Sequence, residues 1–165
     1  MNKFPRSGDP WEQDVWLMAQ RMALLYYHMA TAIVDRLGKD EGEKLVKEAV
    51  WAYGEACGCK VREGVVDQGL PLEPANYSKI PDLPSKGWRG VLREGDSSDS
   101  KKIHATVFCP LAAIWRELGA EKLGRLYCFV DQAKFHAYNP DLRVTHTRNV
   151  LDGDDCCVID VRREK

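Results

Sequence analysis

Lys102-Ile-His-Ala-Thr-Val-Phe108, followed directly by Cys109-Pro110, alternates side chains with a period of two and then meets a proline. That alternation marks a strand, with Ile103, Ala105 and Val107 on one face and His104, Thr106 and Phe108 on the other. Proline suits the first turn of a helix, so a short helix is expected over Leu111 to Leu118, broken by Gly119. A second helix is expected from about Glu121 to Ala137, ended by Asn139-Pro140. Upstream, Trp88 to Arg93 reads as a partner strand, with a turn over Gly95 to Ser100. Downstream, Leu142 to Leu151 and Cys156 to Arg162 flank Asp152-Gly153, a hairpin signal. Two hairpins around a helical insertion predict an antiparallel sheet.

The N-terminal half reads differently. Residues 1–10 form a polar arm, with Asp9 as N-cap and Pro10 opening a helix that runs to about Leu37. Val15, Trp16, Leu17, Met18, Met22, Leu25, Met29 and Ile33 put apolar groups on nearly every face of it. Such a helix is central to a fold or shared with a second subunit, so a homodimer is expected. Gly38 caps it. A second helix starts near Asp40 and persists to about Gln68, with Leu45, Ala49, Ala52, Tyr53 and Ala56 at helical spacing. Glu43 with Lys47, and Lys44 with Glu48, are pairs for a solvated face. Gly54 and Gly58, four apart, permit close approach of another element. Pro71, Pro74, Pro81 and Pro84 make residues 70–86 a loop, acting as a covering strap or a lid. The fold class is therefore α+β: two long N-terminal helices, then an antiparallel sheet of two hairpins with an inserted helical segment, in one domain.

Composition narrows the function. The 165 residues suit a single core, and a net charge of −1 argues against nucleic-acid binding. The longest apolar run, Val15 to Val34, contains Gln20, Arg21 and His28, which disfavours a membrane span. With no secretory leader read at the N-terminus, a cytoplasmic location is expected, with six cysteines as free thiols. Cys57 and Cys59, two apart, and adjacent Cys156 and Cys157 lack the spacing of a zinc ribbon.

Cys109 is the most suggestive single residue, because a helix N-terminus stabilises a thiolate. Its alternative is a small buried residue at a strand–helix corner. Cys128 and Asp131 lie three apart on a helix, where a carboxylate orients or serves a thiol; the alternative buries Cys128 beside Leu126 and Phe129. Cys157 opens the last strand and, with Ile159 and Val161, is expected on the core face, Cys156 pointing away. Convergence of Cys109, Cys128, Asp131 and Cys157 would offer a divalent metal such as zinc a site. His104 is a candidate base for a thiol. Arg148, and His146 on the same strand, are candidates to hold a substrate; a solvated arginine and a structural histidine are the plainer readings.

Five stretches carry a family resemblance: Ala49-Val-Trp-Ala-Tyr-Gly54-Glu-Ala-Cys-Gly58, Cys109-Pro-Leu, Leu123-Gly-Arg-Leu-Tyr-Cys128-Phe-Val-Asp131, Phe135-His-Ala-Tyr-Asn139-Pro140 and Leu151-Asp-Gly-Asp-Asp-Cys156-Cys157. In order and spacing the chain resembles the L-2-amino-thiazoline-4-carboxylic acid hydrolases. The resemblance implies a small-molecule hydrolase that opens a thiazoline ring to N-carbamoyl-L-cysteine. It places Cys109, Cys128, Asp131 and Cys157 on recurring positions, with Cys156 as an additional neighbour. The last hairpin also bears a looser likeness to vinyl-reductase-type sensing domains, which implies a non-catalytic domain binding a small molecule or metal.

Overall fold

The computed structural model describes residues 8–94 and 102–164. The fold is α+β. Helices α1 (Pro10–Leu37) and α2 (Lys39–Asp67) come first, then a single turn, α3 (Pro74–Tyr77). Strands β1 (Arg89–Glu94) and β2 (Lys102–Phe108) follow, then α4 (Pro110–Glu117), α5 (Glu121–Tyr127) and α6 (Phe129–Tyr138), and finally β3 (Leu142–Arg148) and β4 (Cys157–Arg163). The sheet order is β1-β2-β4-β3, with β1·β2 and β2·β4 antiparallel. The turn expected over Gly95 to Ser100 and most of the N-terminal arm lie outside the described residues.

The helix boundaries follow from local chemistry. Asp9 caps α1 as expected: its carboxylate accepts the Trp11 N–H at 3.0 Å, and its carbonyl accepts that of Gln13. Gly38, at φ 81°, sits between α1 and α2 in a conformation that only glycine adopts cheaply. Gly119 ends α4 in the same way, with the Ala120 N–H returning to the Trp115 carbonyl at 2.8 Å.

The chain divides into two compact units. The first comprises 1–28, 85–124 and 146–159. Here Ala105, Cys156 and Val158 form a buried cluster, with Ile103 and Val107 packed against it, so the alternation of β2 holds. Trp115 is buried nearby in the same unit; its indole N–H donates to the Ala23 carbonyl, and its ring meets Tyr26 at 5.3 Å.

The second unit comprises 29–84, 125–145 and 160–165. Its center is the α2–α6 pair. Val46, Val50, Gly54, Gly58, Val61 and Val65 line the buried face of α2. This corrects the apolar stripe expected from Leu45, Ala49, Ala52, Tyr53 and Ala56. Leu45 and Tyr53 stay exposed, because the small-residue stripe one position away admits α6 more closely. A Cβ on Gly58 would sit 2.1 Å from the Lys134 carbonyl oxygen, and one on Gly54 2.6 Å from the Ala133 Cβ.

The proline-rich segment packs as a strap. Leu70, Leu72, Tyr77 and Ile80 lie on Val61, Val65, Tyr138 and Leu142, and Tyr77 stacks on Phe135 with ring centroids 4.2 Å apart. Tyr138 and Asn139 tie it down by donating to the Glu73 and Leu72 carbonyls. The segment was expected to lack regular structure, but Pro74 opens the one-turn α3, a position where a missing N–H costs nothing.

The single helix expected over Glu121 to Ala137 is in fact two. At Cys128 the backbone tightens: its N–H donates to the Arg125 carbonyl, and its own carbonyl accepts from Asp131. Those bonds span three residues rather than four, which turns the chain between α5 and α6. Cys128 thus caps α6 instead of lying within a helix.

Candidate functional site

Each unit gathers part of the residue set read from the sequence. In the first, Cys109 occupies the N-cap of α4, as expected. The Leu111 and Ala112 amides lie by its sulfur without a capping hydrogen bond and favour the thiolate. Burial outweighs them, and charge on nearby Cys157 opposes ionisation too, so the thiol is pushed up to about 11. The expectation of a resting thiolate is corrected accordingly: Cys109 carries its proton at neutral pH.

The phase of the last strand is also corrected. Cys156, fully buried, joins Val158 in the core, while Cys157 is half-buried and Ile159 is exposed. Val161 rejoins a core, but that of the second unit. Cys157 accepts the Val150 N–H on its sulfur at 3.4 Å. His104 is exposed, its imidazole lying over Gly90 of β1 so closely that a Cβ there would be 2.2 Å from Nε2. Arg148 pairs with the chain's own Asp155 at 3.4 Å, which Arg93 also holds at 2.6 Å. His146 is half-buried on β3. A cleft of about 780 Å³ in this unit is lined by Tyr27, Arg116, Leu123 and Leu151, among others, and by none of the candidate catalytic, substrate-binding or metal-ligating residues read from the sequence.

The second unit holds Cys128 and Asp131, and with them a polar cluster that sequence reading missed. Lys134, one turn after Asp131 on α6, is 6% exposed, and its ammonium reaches Asp82 at 2.8 Å. Burial alone would pull its pKa down. Asp82, with Asp131 next, outweighs that and holds the ammonium above the usual lysine range. Tyr77 hydrogen-bonds the same Asp82 carboxylate at 3.2 Å. Across from it, Tyr53 of α2 and Tyr127 of α5 share a hydrogen bond, with rings 6.2 Å apart. Burial, then neighbouring negative charge, raises Tyr77 and Tyr127 well above the ordinary phenol value, so both remain protonated. Asp131 is close enough to act electrostatically on Tyr77, Tyr127 and Lys134. Cys57 belongs to this group as well, half-buried on α2, while Cys59 is exposed. Residues two apart lie about 200° apart around a helix, so the two cysteines diverge.

Sequence signals for the cluster were thin. Lys134 sits in Asp131-Gln-Ala-Lys134, which looks like an ordinary solvated turn. Only Gly54 and Gly58, by announcing close contact with another element, hinted that a polar residue opposite them would be enclosed.

Among the described residues, no group of three or more His, Cys, Asp or Glu is arranged to hold a metal ion. Cys109 and Cys157 fall in the first unit, and Cys128 and Asp131 in the second. No described helix is long and apolar enough to cross a membrane.

An α+β fold carrying an enclosed cluster of carboxylates, phenols and an ammonium, together with a half-buried thiol, is equipped for acid–base or thiol chemistry on a small molecule. The chain belongs to the L-2-amino-thiazoline-4-carboxylic acid hydrolase family, whose model matches residues 18–161. No curated protein and no solved structure matches it.

Proposed function

We propose that this chain is a hydrolase that opens a thiazoline-type ring, with the α2–α6 polar cluster supplying the proton transfers. The observation that carries the reading is the enclosed Asp82–Lys134 pair with Asp131 one turn away, flanked by phenols that keep their protons. Family membership supports the substrate class.

Ring opening consumes one water. Its oxygen bonds to the ring carbon between nitrogen and sulfur, and one of its protons goes to Asp131. Asp131 passes that proton to the ring nitrogen, whose double bond to carbon becomes single. The carbon–oxygen double bond then forms as the carbon–sulfur bond breaks with its electron pair on sulfur; sulfur takes up a proton from its donor, and the second water proton, leaving the oxygen, replaces the one given. A ureido group and a free thiol result, so atoms balance. The Tyr53–Tyr127 pair, partly open to solvent through Tyr53, is the proton donor to the departing sulfur. Lys134, held by Asp82, provides a fixed positive charge that favours the negative charge gathering on that sulfur. Cys128, heading α6, orients the first turn that carries Asp131.

A covalent route through Cys109 is the second reading, favoured by the two amides at its sulfur. There the Cys109 sulfur bonds to the same ring carbon as His104 takes its proton, the ring carbon–sulfur bond breaks with its electron pair on the ring sulfur, which receives that proton, and water then displaces Cys109 from the carbon to leave the ureido group and restore the thiol, with His146 and Arg148 meeting the substrate carboxylate. Burial of the thiol and the existing bond between Arg148 and Asp155 weigh against it.

The test is ring opening of 2-amino-thiazoline-4-carboxylate, followed by mass spectrometry of the ureido product, with Asp131→Asn and Cys109→Ser beside the unaltered chain. Loss of at least about 100-fold in Asp131→Asn alone, with unchanged melting, supports the cluster. Loss in Cys109→Ser alone transfers the chemistry to the thiol. A ligand that raises the melting temperature of the unaltered chain yet is never consumed overturns both readings in favour of a sensing domain.

A further inference from the structure

One surface of α1 is left over by everything described so far. Trp11, Met18 and Leu25 are spaced seven apart and are 75%, 64% and 62% exposed. Seven residues bring a helix back to within about 20° of the same direction, so the three form one apolar seam. Within α1 this seam faces away from the buried side, where Trp16, Ala19 and Ala23 pack. A contiguous apolar stripe of this kind, left in water, marks an interaction surface.

Two charges say what fits it. Asp14 and Arg21 flank Met18, four residues before and three after, on the same side of the seam, and both are exposed. Among the described residues neither has an ion-pair partner. We propose that the seam is a homodimer interface in which two copies of α1 pair antiparallel about a two-fold axis near Met18. A two-fold contact is self-complementary, so a residue a given distance before the axis meets one the same distance after it. Trp11 then packs on the partner's Leu25, Met18 on the partner's Met18, and Leu25 on the partner's Trp11. The same operation keeps the charged flank on one side, which brings Asp14 to the partner's Arg21 and Arg21 to the partner's Asp14. Opposite charges meet twice. A parallel pairing in register would instead carry the two charged flanks to opposite sides of the seam, where neither Asp14 nor Arg21 meets an opposite charge of the partner. A single helix seam is small for a stable interface, so dissociation in the micromolar range is expected.

The proposal is independent of the catalytic reading, and its test uses the full chain in sedimentation equilibrium over a range of concentrations. The unaltered protein is expected to dimerise and Leu25→Glu to be monomeric. Asp14→Arg and Arg21→Asp, each alone, set like charges opposite and are expected to weaken the dimer by about tenfold or more. The double variant Asp14→Arg/Arg21→Asp restores opposite charges across the two-fold axis and is expected to recover most of the loss. All these positions are exposed, and circular dichroism checks that each variant is folded. A protein that stays monomeric, a dimer indifferent to Leu25→Glu, or a double variant no better than the singles overturns the proposal. So does a monomer that begins to dimerise only when residues 1–7 are removed, because those residues would then be what covers the seam.

Discussion

The Lys134 ammonium lies 2.8 Å from the Asp82 carboxylate, and the two side chains are only 8% and 15% exposed. An ion pair this enclosed costs more to break than to replace. Removing one partner leaves the other charged and buried.

Lys134→Met or Asp82→Leu alone is expected to destabilise the chain by about 3 kcal/mol. The double substitution Lys134→Met/Asp82→Leu, which removes both charges, is expected to cost clearly less than the sum. Urea unfolding of the three variants measures this. Additive losses would mean that the two groups contribute separately.

Stability is expected to fall as pH rises above about 9. The unfolded Cys109 thiol loses its proton near 9.0, while the folded one holds it to about 11. Lys134, Tyr77 and Tyr127 behave alike: their unfolded values are 10.5, 10.0 and 10.0, and the fold raises all three. Between the unfolded and folded values the native chain binds more protons, so stability declines with pH. Melting temperature against pH should be level from 7 to about 9 and then drop. A rise across that window would mean that these groups are not enclosed as described.

Thiol alkylation is expected to follow burial and protonation. Exposed Cys59 should react first, Cys109 slowly at pH 8 and faster toward about 11, and Cys156 last. Peptide mapping after timed iodoacetamide treatment reads the order. Fast labelling of Cys109 at neutral pH would revive it as an activated nucleophile.

Gly58→Ala is expected to destabilise by about 3 kcal/mol, because the added carbon would fall on the backbone of α6 at Lys134. Gly8→Ala, where nothing lies within 4 Å, is the control and should change little. Denaturant midpoints compare them.

Much of the fold was legible because its signals are local. Asp9-Pro10, Gly38 and Gly119 mark helix ends through backbone chemistry that needs no tertiary context. Ile103, Ala105 and Val107 mark a strand face by alternation. What escaped depends on neighbours far along the chain. Cys156 and Cys157 are adjacent, and nothing between them says which one the β2 face will cover. Lys134 is enclosed because Gly58 lets α2 close onto α6 and Asp82 arrives from the strap. The Cys128 turn has no proline or glycine to announce it. Asp131 was legible as a candidate, whereas its companions Tyr53, Tyr77, Asp82, Tyr127 and Lys134 became so only in three dimensions.

The glycine contact between α2 and α6 also limits how this chain can vary by insertion or deletion. Gly54 and Gly58 meet α6 backbone to backbone, one helical turn apart. Losing or gaining a single residue between them would rotate everything beyond by about 100° and turn a bulkier neighbour toward Lys134. Point changes on the outer face of α2 are cheap by comparison. In descendants of this sequence, the interval from Gly54 to Gly58 should keep its length even where its other letters change.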